Sequence, residues 1–172
     1  MSRDTYPAVD AFLDATRHAG QVLTSPEVGA AWTRDSALPR MTVGTVAGHL
    51  FLVVRRVDKH LDEPEHVVTG VDAIERYRWL RVERPEDLDR TDHCIVRADG
   101  DRVAAWGWSA VATAYNERAR KLNVRLAARC PTSVVLETGV MDFQSYLVTR
   151  VVELLVHGDD LATSVGISSV AP

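Results

Sequence analysis

The sequence predicts an all-α protein, a four-helix bundle with short additional helices and one short extended segment. Three observations support this prediction. Apolar residues recur at helical spacing in long segments of the 172-residue chain, prolines and glycines separate these segments, and one stretch has the valine and threonine content of a strand. Helices that each bury one apolar stripe pack around a shared core, and we expect residues 1–172 to form one domain.

Two long helices are predicted in the first half of the chain. The first runs from Pro7 to about Leu23, since proline suits an early helical position and apolar side chains recur behind it. Prolines and a glycine then interrupt the helical pattern of apolar residues. Between them, residues 27–32 could form a short helix. The second long helix begins after Thr42, a good N-cap residue, and its apolar stripe continues to Leu61.

Two further long helices are predicted in the second half. One covers at least 101–129, with its start left open because Gly100 lies just upstream, and the other covers about 142–165. The stretch "TSVVLETGV" at 132–140 is the strand-like segment between them. A short helix is also predicted over 71–80.

Composition and charge exclude several classes of protein. The chain is 46% hydrophobic and 26% charged, as in soluble globular proteins, and its net charge of -4 does not favour nucleic-acid binding. No apolar run is long enough to span a membrane, and the N-terminal residues lack a signal-peptide core. Cys94 and Cys130 are far apart in sequence and fit a reducing compartment. We therefore expect a cytoplasmic protein with no nucleic-acid or membrane partner.

A narrow line of polar side chains interrupts the apolar surface of the last predicted helix, in "RVVELLVHGDDLATSVG". Glu153 and His157 are four residues apart, so a carboxylate and an imidazole can reach one cation. The same spacing also fits an ordinary helical pair at the solvent edge, and taken alone it favours that interpretation. At a rotation of 100° per residue, these polar side chains lie within a sector of roughly 80° around the helix axis. Its members are Tyr146, Arg150, Glu153, His157, Asp160 and Ser164.

A metal site on this line needs at least one ligand from another part of the chain. His49 is the best candidate, because it lies among apolar residues in "TVAGHLFLVV" and follows Gly48, which allows a neighbouring element to approach closely. Two histidines and one carboxylate form a known catalytic zinc set with the fourth position open. The alternative is that His49 is a core histidine with satisfied hydrogen bonds.

Other polar and aromatic side chains have two interpretations each. Arg56 projects on nearly the same face of its helix as the candidate histidine, and Arg150 precedes the candidate glutamate by one turn. Either arginine could bind an anionic substrate group or lie at the surface. Asp160 could orient a metal ligand or contact solvent. His60 could line a pocket entrance or lie at the surface, and Trp32 could form the core or a cavity wall.

Two sequence blocks resemble the DinB/YfiT-like metal-binding superfamily, and more closely its mycothiol-dependent maleylpyruvate isomerase-like branch. The first block is Trp32 followed by "SALPRMTVGTVAGHL", which ends at residue 50. The second is "RVVELLVHGDDLATSVG", residues 150–166. The order of the blocks, their separation and their helical context agree with that family, and the resemblance spans nearly the whole chain.

The resemblance implies a DinB-like four-helix bundle that binds a divalent metal. In this family the positions that match His49, Glu153 and His157 hold the ion, usually Zn²⁺, and the same donors suit Ni²⁺. The resemblance further implies mycothiol as cosubstrate, and hence a low-molecular-weight thiol and a small electrophilic substrate as partners. It also allows a homodimer, since DinB-like proteins are often dimers.

The expected activity is that of a thiol S-transferase or an isomerase-like enzyme, in which a metal-activated thiolate attacks the electrophile. The isomerase proper carries an additional C-terminal region, whereas this sequence ends at "ISSVAP". We therefore expect another thiol-dependent reaction rather than maleylpyruvate isomerisation itself. The competing hypothesis is a non-catalytic metal-binding helical bundle with a regulatory or ligand-binding role.

Overall fold

A computed structural model of the protein describes residues 7–70, 73, 74, 77 and 85–169. In this part of the chain, six α-helices, one 3₁₀ helix and one β-hairpin form the regular structure, so the all-α prediction is confirmed. In chain order they are α1 (Pro7–Leu23), α2 (Pro26–Ala30), α3 (Val43–His60), the 3₁₀ helix (Pro85–Asp89), α4 (Thr91–Ala104), α5 (Trp108–Ala128), β1 (Ser133–Leu136), β2 (Gly139–Asp142) and α6 (Phe143–Val165).

The four long helices α1, α3, α5 and α6 pack around one apolar core, and α4 lies against α3. The extensive contacts of α1 with α6 and of α3 with α6 make the last helix central to the bundle. Large apolar side chains from each long helix are fully buried, including Phe12, Leu50, Leu122 and Leu154. None of the helices in the described ranges combines the length and the apolarity needed to cross a membrane.

Local side-chain caps start the two helices that carry the candidate site. The Thr42 hydroxyl accepts a hydrogen bond from the backbone N–H of Thr45 at 3.1 Å, which begins α3 where the sequence predicts. The Asp142 carboxylate accepts from the backbone N–H of Ser145 at 2.7 Å and begins α6. Gly166 ends α6 with a φ of 73°, a left-handed conformation that suits glycine. The predicted bounds of both helices are thus confirmed.

The prediction of one uninterrupted helix over 101–129 is wrong. The chain forms two helices there, with a break at 105–107 where Gly107 adopts a φ of 83°. Gly100, which left the helix start open, lies inside α4 and against α3. A β-carbon on Gly48 of α3 would lie only 2.4 Å from the carbonyl oxygen of Gly100, so the two helices approach at backbone distance.

The remaining predicted elements are short. The strand-like stretch forms an antiparallel hairpin in which Ser133 pairs with Asp142 and Leu136 pairs with Gly139. The short helical piece predicted over 27–32 corresponds to α2. Of the helix predicted over 71–80, residues 73, 74 and 77 are helical, and the rest lies outside the described residues.

Candidate metal centre

Helices α3 and α6 bring His49, Glu153 and His157 together. One potential ligand atom from each residue lies within 4.8 Å of the others. The Nε2 atom of His49 is 3.2 Å from Oε2 of Glu153, and Nε2 of His157 is 3.5 Å from the same oxygen. The two imidazole rings meet edge to face, with centroids 4.9 Å apart. One carboxylate oxygen therefore lies between two imidazole nitrogens.

Burial and hydrogen bonding together shift the pKa values of all three residues in this cluster. Burial lowers the pKa of His49, which is 6% exposed. Burial alone would raise the pKa of Glu153, but hydrogen bonds from His157 and His49 outweigh it and hold that pKa far below its usual range. For His157, burial lowers the pKa, but hydrogen bonds to Asp160 and Glu153 outweigh it and raise the pKa to about 9. In the metal-free protein at neutral pH, an ionised Glu153 therefore lies beside a protonated His157.

Two side chains on α6 support the cluster. Asp160 lies one turn beyond His157, and its Oδ2 atom is 3.0 Å from Nδ1 of His157. This contact holds the ring with Nε2 directed toward Glu153, as a carboxylate does for many metal-binding histidines. The guanidinium of Arg150 is almost fully buried, donates from Nε to the Thr149 hydroxyl at 3.1 Å, and lies 4.0 Å from Oε1 of Glu153.

The geometry of these donors fits a divalent cation. Zinc–ligand bonds of about 2.0–2.1 Å at tetrahedral angles place neighbouring ligand atoms roughly 3.3 Å apart. The separations of 3.2 and 3.5 Å around Glu153 match this spacing. Two histidines and one carboxylate also leave a fourth position for another group, as in catalytic zinc sites. The three residues could therefore hold such an ion if the imidazole nitrogens of His49 and His157, which lie within 4.8 Å of each other, approach to a similar spacing.

Two of the candidates from the sequence lie outside this cluster. The indole Nε1 of Trp32 donates to the carbonyl of Ala104 at 3.0 Å, so Trp32 connects its loop to the end of α4. Arg56 lies in a cleft between α3 and α4, where its guanidinium is 3.6 Å from Oδ2 of Asp99. The structure thus connects Trp32 to α4 by a hydrogen bond and places Arg56 in the α3–α4 cleft, where its positive charge still contributes to the lowered pKa of His49.

A second polar group extends from the cluster along the contact of α3 with α6. Nδ1 of His60 is 2.6 Å from Oε2 of Glu63, and the His60 ring meets the ring of Tyr146 edge to face at 5.3 Å. Tyr146 in turn lies 5.2 Å below the guanidinium carbon of Arg150. Glu63 is not among the residues expected from the sequence, although its spacing of three residues from His60 is a usable signal.

The family assignment agrees with this geometry. The family model of the mycothiol maleylpyruvate isomerase N-terminal domain matches residues 10–162. The chain therefore belongs to this family, and the resemblance found in the sequence is confirmed. The matched span includes α3 and nearly all of α6, and with them His49, Glu153 and His157. No curated protein and no solved structure gives a significant match to the chain.

Proposed function

We propose that the protein is a divalent-metal-dependent enzyme that uses mycothiol, as a thiol transferase or an isomerase-like enzyme, on a small electrophilic substrate. The observation that carries this proposal is the single Glu153 oxygen between the two imidazole nitrogens of His49 and His157. Membership of a mycothiol-related family supports the choice of thiol.

Each residue of the site has a defined part in this proposal. His49, Glu153 and His157 would hold the metal, which when bound supplies a Lewis acid that lowers the pKa of a thiol. Glu153 contributes the negative charge of the ligand set. Asp160 holds the His157 ring by its Nδ1 atom, and Arg150 supplies a buried guanidinium that could also receive a carboxylate of the thiol or the substrate.

The bond changes distinguish the two reaction types. In both, the thiolate sulfur attacks an electrophilic carbon and forms a C–S bond. In a transfer reaction this bond is retained, and the displaced electron pair either takes up a proton or departs with a leaving group, so the thiol is consumed. In an isomerisation, rotation about the former double bond is followed by cleavage of the C–S bond, which restores the double bond and releases the thiolate.

Metal analysis of purified variants tests the ligand set. We expect a stoichiometric divalent metal in the wild-type protein and a strong loss of it in His157→Ala, because two remaining side chains do not complete the site. His66→Ala is the matched control, since His66 is exposed and lies outside the cluster. Unchanged metal content in His157→Ala would contradict the assignment.

A thiol-dependent assay tests catalysis separately from metal binding. Mycothiol and a general electrophile are incubated with the protein, with and without a chelator, and both the thiol and the product are measured. We expect turnover that the chelator abolishes. Stoichiometric metal without thiol-dependent turnover would instead favour the non-catalytic metal-binding bundle.

A further inference from the structure

The cleft between α3 and α4 that contains Arg56 has a volume of about 670 Å³. Four basic side chains line it: Arg55, Arg56, Lys59 and Arg102. Asp99 is the single carboxylate among the described lining residues. The cleft thus has an excess of positive charge in a protein whose net charge is -4.

The ion pairs around this cleft do not neutralise it. The Asp99 carboxylate pairs with two guanidinium groups. Its Oδ2 atom lies 3.6 Å from the Arg56 guanidinium, and it also accepts a hydrogen bond from Arg102. Arg55 is exposed and has no ion pair within the described ranges. Lys59 lies 3.7 Å from Oε1 of Glu63, so two carboxylates face four basic side chains. Arg55 and Lys59 lie four residues apart on α3, a spacing at which like charges are unfavourable. An anionic ligand would relieve this repulsion.

The cleft also has an aromatic wall. Trp106, at the break between α4 and α5, is 50% exposed, although tryptophan is usually well covered. One edge of its ring contacts Phe51, with centroids 5.5 Å apart, which holds the indole in place. An exposed, supported indole provides a flat apolar surface for a ligand ring, and the neighbouring guanidinium groups can bind carboxylate or phosphate oxygens.

We propose that this α3–α4 cleft binds a small organic anion, one with a flat, aromatic body and a carboxylate or phosphate group. The arginines and the lysine bind the anionic group, and Trp106 contacts the flat body. This proposal does not depend on the metal centre, whose ligands belong to α3 and α6 and do not line the cleft.

Calorimetric titration with phenyl phosphate, benzoate, inorganic phosphate and phenol tests the proposal. We expect saturable binding of phenyl phosphate or benzoate, and weaker binding of inorganic phosphate and of phenol, since each of these lacks one of the two features. The comparison of phenyl phosphate with benzoate identifies which anionic group the cleft prefers. Added NaCl should weaken the binding, because it screens the exposed charges.

Three substitutions locate the binding. Arg55→Gln should reduce the affinity about tenfold, as expected for loss of a charge-assisted hydrogen bond. Arg55 is exposed and unpaired within the described residues, so this variant should fold normally. Asp99→Asn should increase the affinity, because it removes the competing carboxylate. Trp106→Ala should remove the preference for phenyl phosphate over inorganic phosphate.

Two controls separate this cleft from other sites. Arg120→Gln, an exposed arginine of α5 outside the cleft, and His157→Ala, in the candidate metal centre, should each leave the affinity unchanged. The proposal is overturned if no probe binds saturably, if Arg55→Gln has no larger effect than Arg120→Gln, or if His157→Ala abolishes the binding.

Discussion

Glu153 stays ionised in a largely buried position because positive and polar groups surround it. Its side chain is 14% exposed, and an isolated carboxylate there would be strongly unfavourable. The imidazoles of His49 and His157 lie next to one of its oxygens, and the guanidinium of Arg150 lies next to the other. These neighbours stabilise the negative charge of Glu153 in the absence of a metal, and the proposed cation would take the same position beside the carboxylate oxygen.

Asp160 should influence metal affinity through His157. In Asp160→Ala we expect the pKa of His157 in the metal-free protein to fall from about 9 toward its ordinary value, because an accepting carboxylate is lost. Metal affinity should fall about 10–100-fold, as is typical when the hydrogen-bond partner of a histidine ligand is removed. NMR titration of the histidine ring and competition with a chelator measure the two effects.

Asp159→Ala is the matched control for this prediction. The neighbouring Asp159 is exposed and is not one of the three residues of the cluster. Equal metal affinities for the two variants would show that Asp160 does not support His157.

At the scale of the elements, the contact between α3 and α4 depends on two glycines. The backbones approach where Gly48 faces Gly100, and a β-carbon on Gly100 would in turn lie 2.7 Å from the carbonyl oxygen of Thr45. Gly48 immediately precedes His49, so this contact also positions the helical turn that carries the candidate ligand. In the sequence nothing distinguishes these two glycines from Gly107, which instead has a positive φ and lies just before α5 as its N-cap residue.

Gly48→Ala should therefore destabilise the protein. The added methyl group would lie 2.4 Å from a backbone oxygen, and relief of that overlap requires α3 and α4 to separate. We expect a loss of about 1–3 kcal/mol in the free energy of unfolding, the usual range for overpacking. Thermal or urea unfolding of the metal-free protein measures the change.

Gly158→Ala provides the comparison within α6. Its added methyl group would meet Ala19 of α1 at 3.7 Å, an ordinary van der Waals contact. Because alanine is the better helix former, this variant should be neutral or stabilised by up to about 1 kcal/mol. A similar destabilisation in both variants would contradict the role assigned to the Gly48 contact.

At the scale of the whole molecule, Asp58 connects helices that lie far apart in the sequence. Its carboxylate on α3 is 4% exposed and accepts hydrogen bonds from Arg118 and Arg125 of α5, with Lys121 at 3.5 Å. Arg125 also donates to the backbone carbonyl of Asp58 at 3.0 Å. The network stabilises the packing of α3 on α5, and hence the position of α3 in the bundle.

This network makes the stability of the bundle depend on pH. Burial raises the pKa of Asp58, but the hydrogen bonds from Arg118 and Arg125 outweigh it and lower the pKa below its ordinary value. The stabilisation is therefore fully present above about pH 4, the usual pKa of an unfolded aspartate, and is lost as the pH falls through the lower folded value. Asp58→Asn should destabilise the protein by about 1–3 kcal/mol at neutral pH.

Unfolding measured between neutral pH and pH 3 tests this prediction, since the difference between wild type and Asp58→Asn should shrink as the pH falls. Asp14→Asn is the control, because the pair of Asp14 with Arg17 is largely exposed and such pairs contribute little. A difference that does not change with pH would contradict the assigned charge effect.

The sequence by itself determined the helical class, the family and the bounds of α1, α3 and α6. These features depend on neighbouring residues, such as the cap from Thr42 to Thr45 and the turn at Gly166, and on the phase of each apolar stripe. Helical phase also suggested that Glu153 and His157 face the same way. Local chemistry of this kind acts over a few residues and can be inferred from their order alone.

Only the tertiary structure decided which distant groups meet. It brings His49 to within 3.2 Å of Glu153 across 104 positions, directs Arg56 into the α3–α4 cleft, and uses Trp32 as a packing contact for α4. It also distinguishes Gly100, inside a helix, from Gly107, at a break. These outcomes depend on how the helices pack against one another. The spacing of residues within one helix does not determine which side chains of another helix they contact.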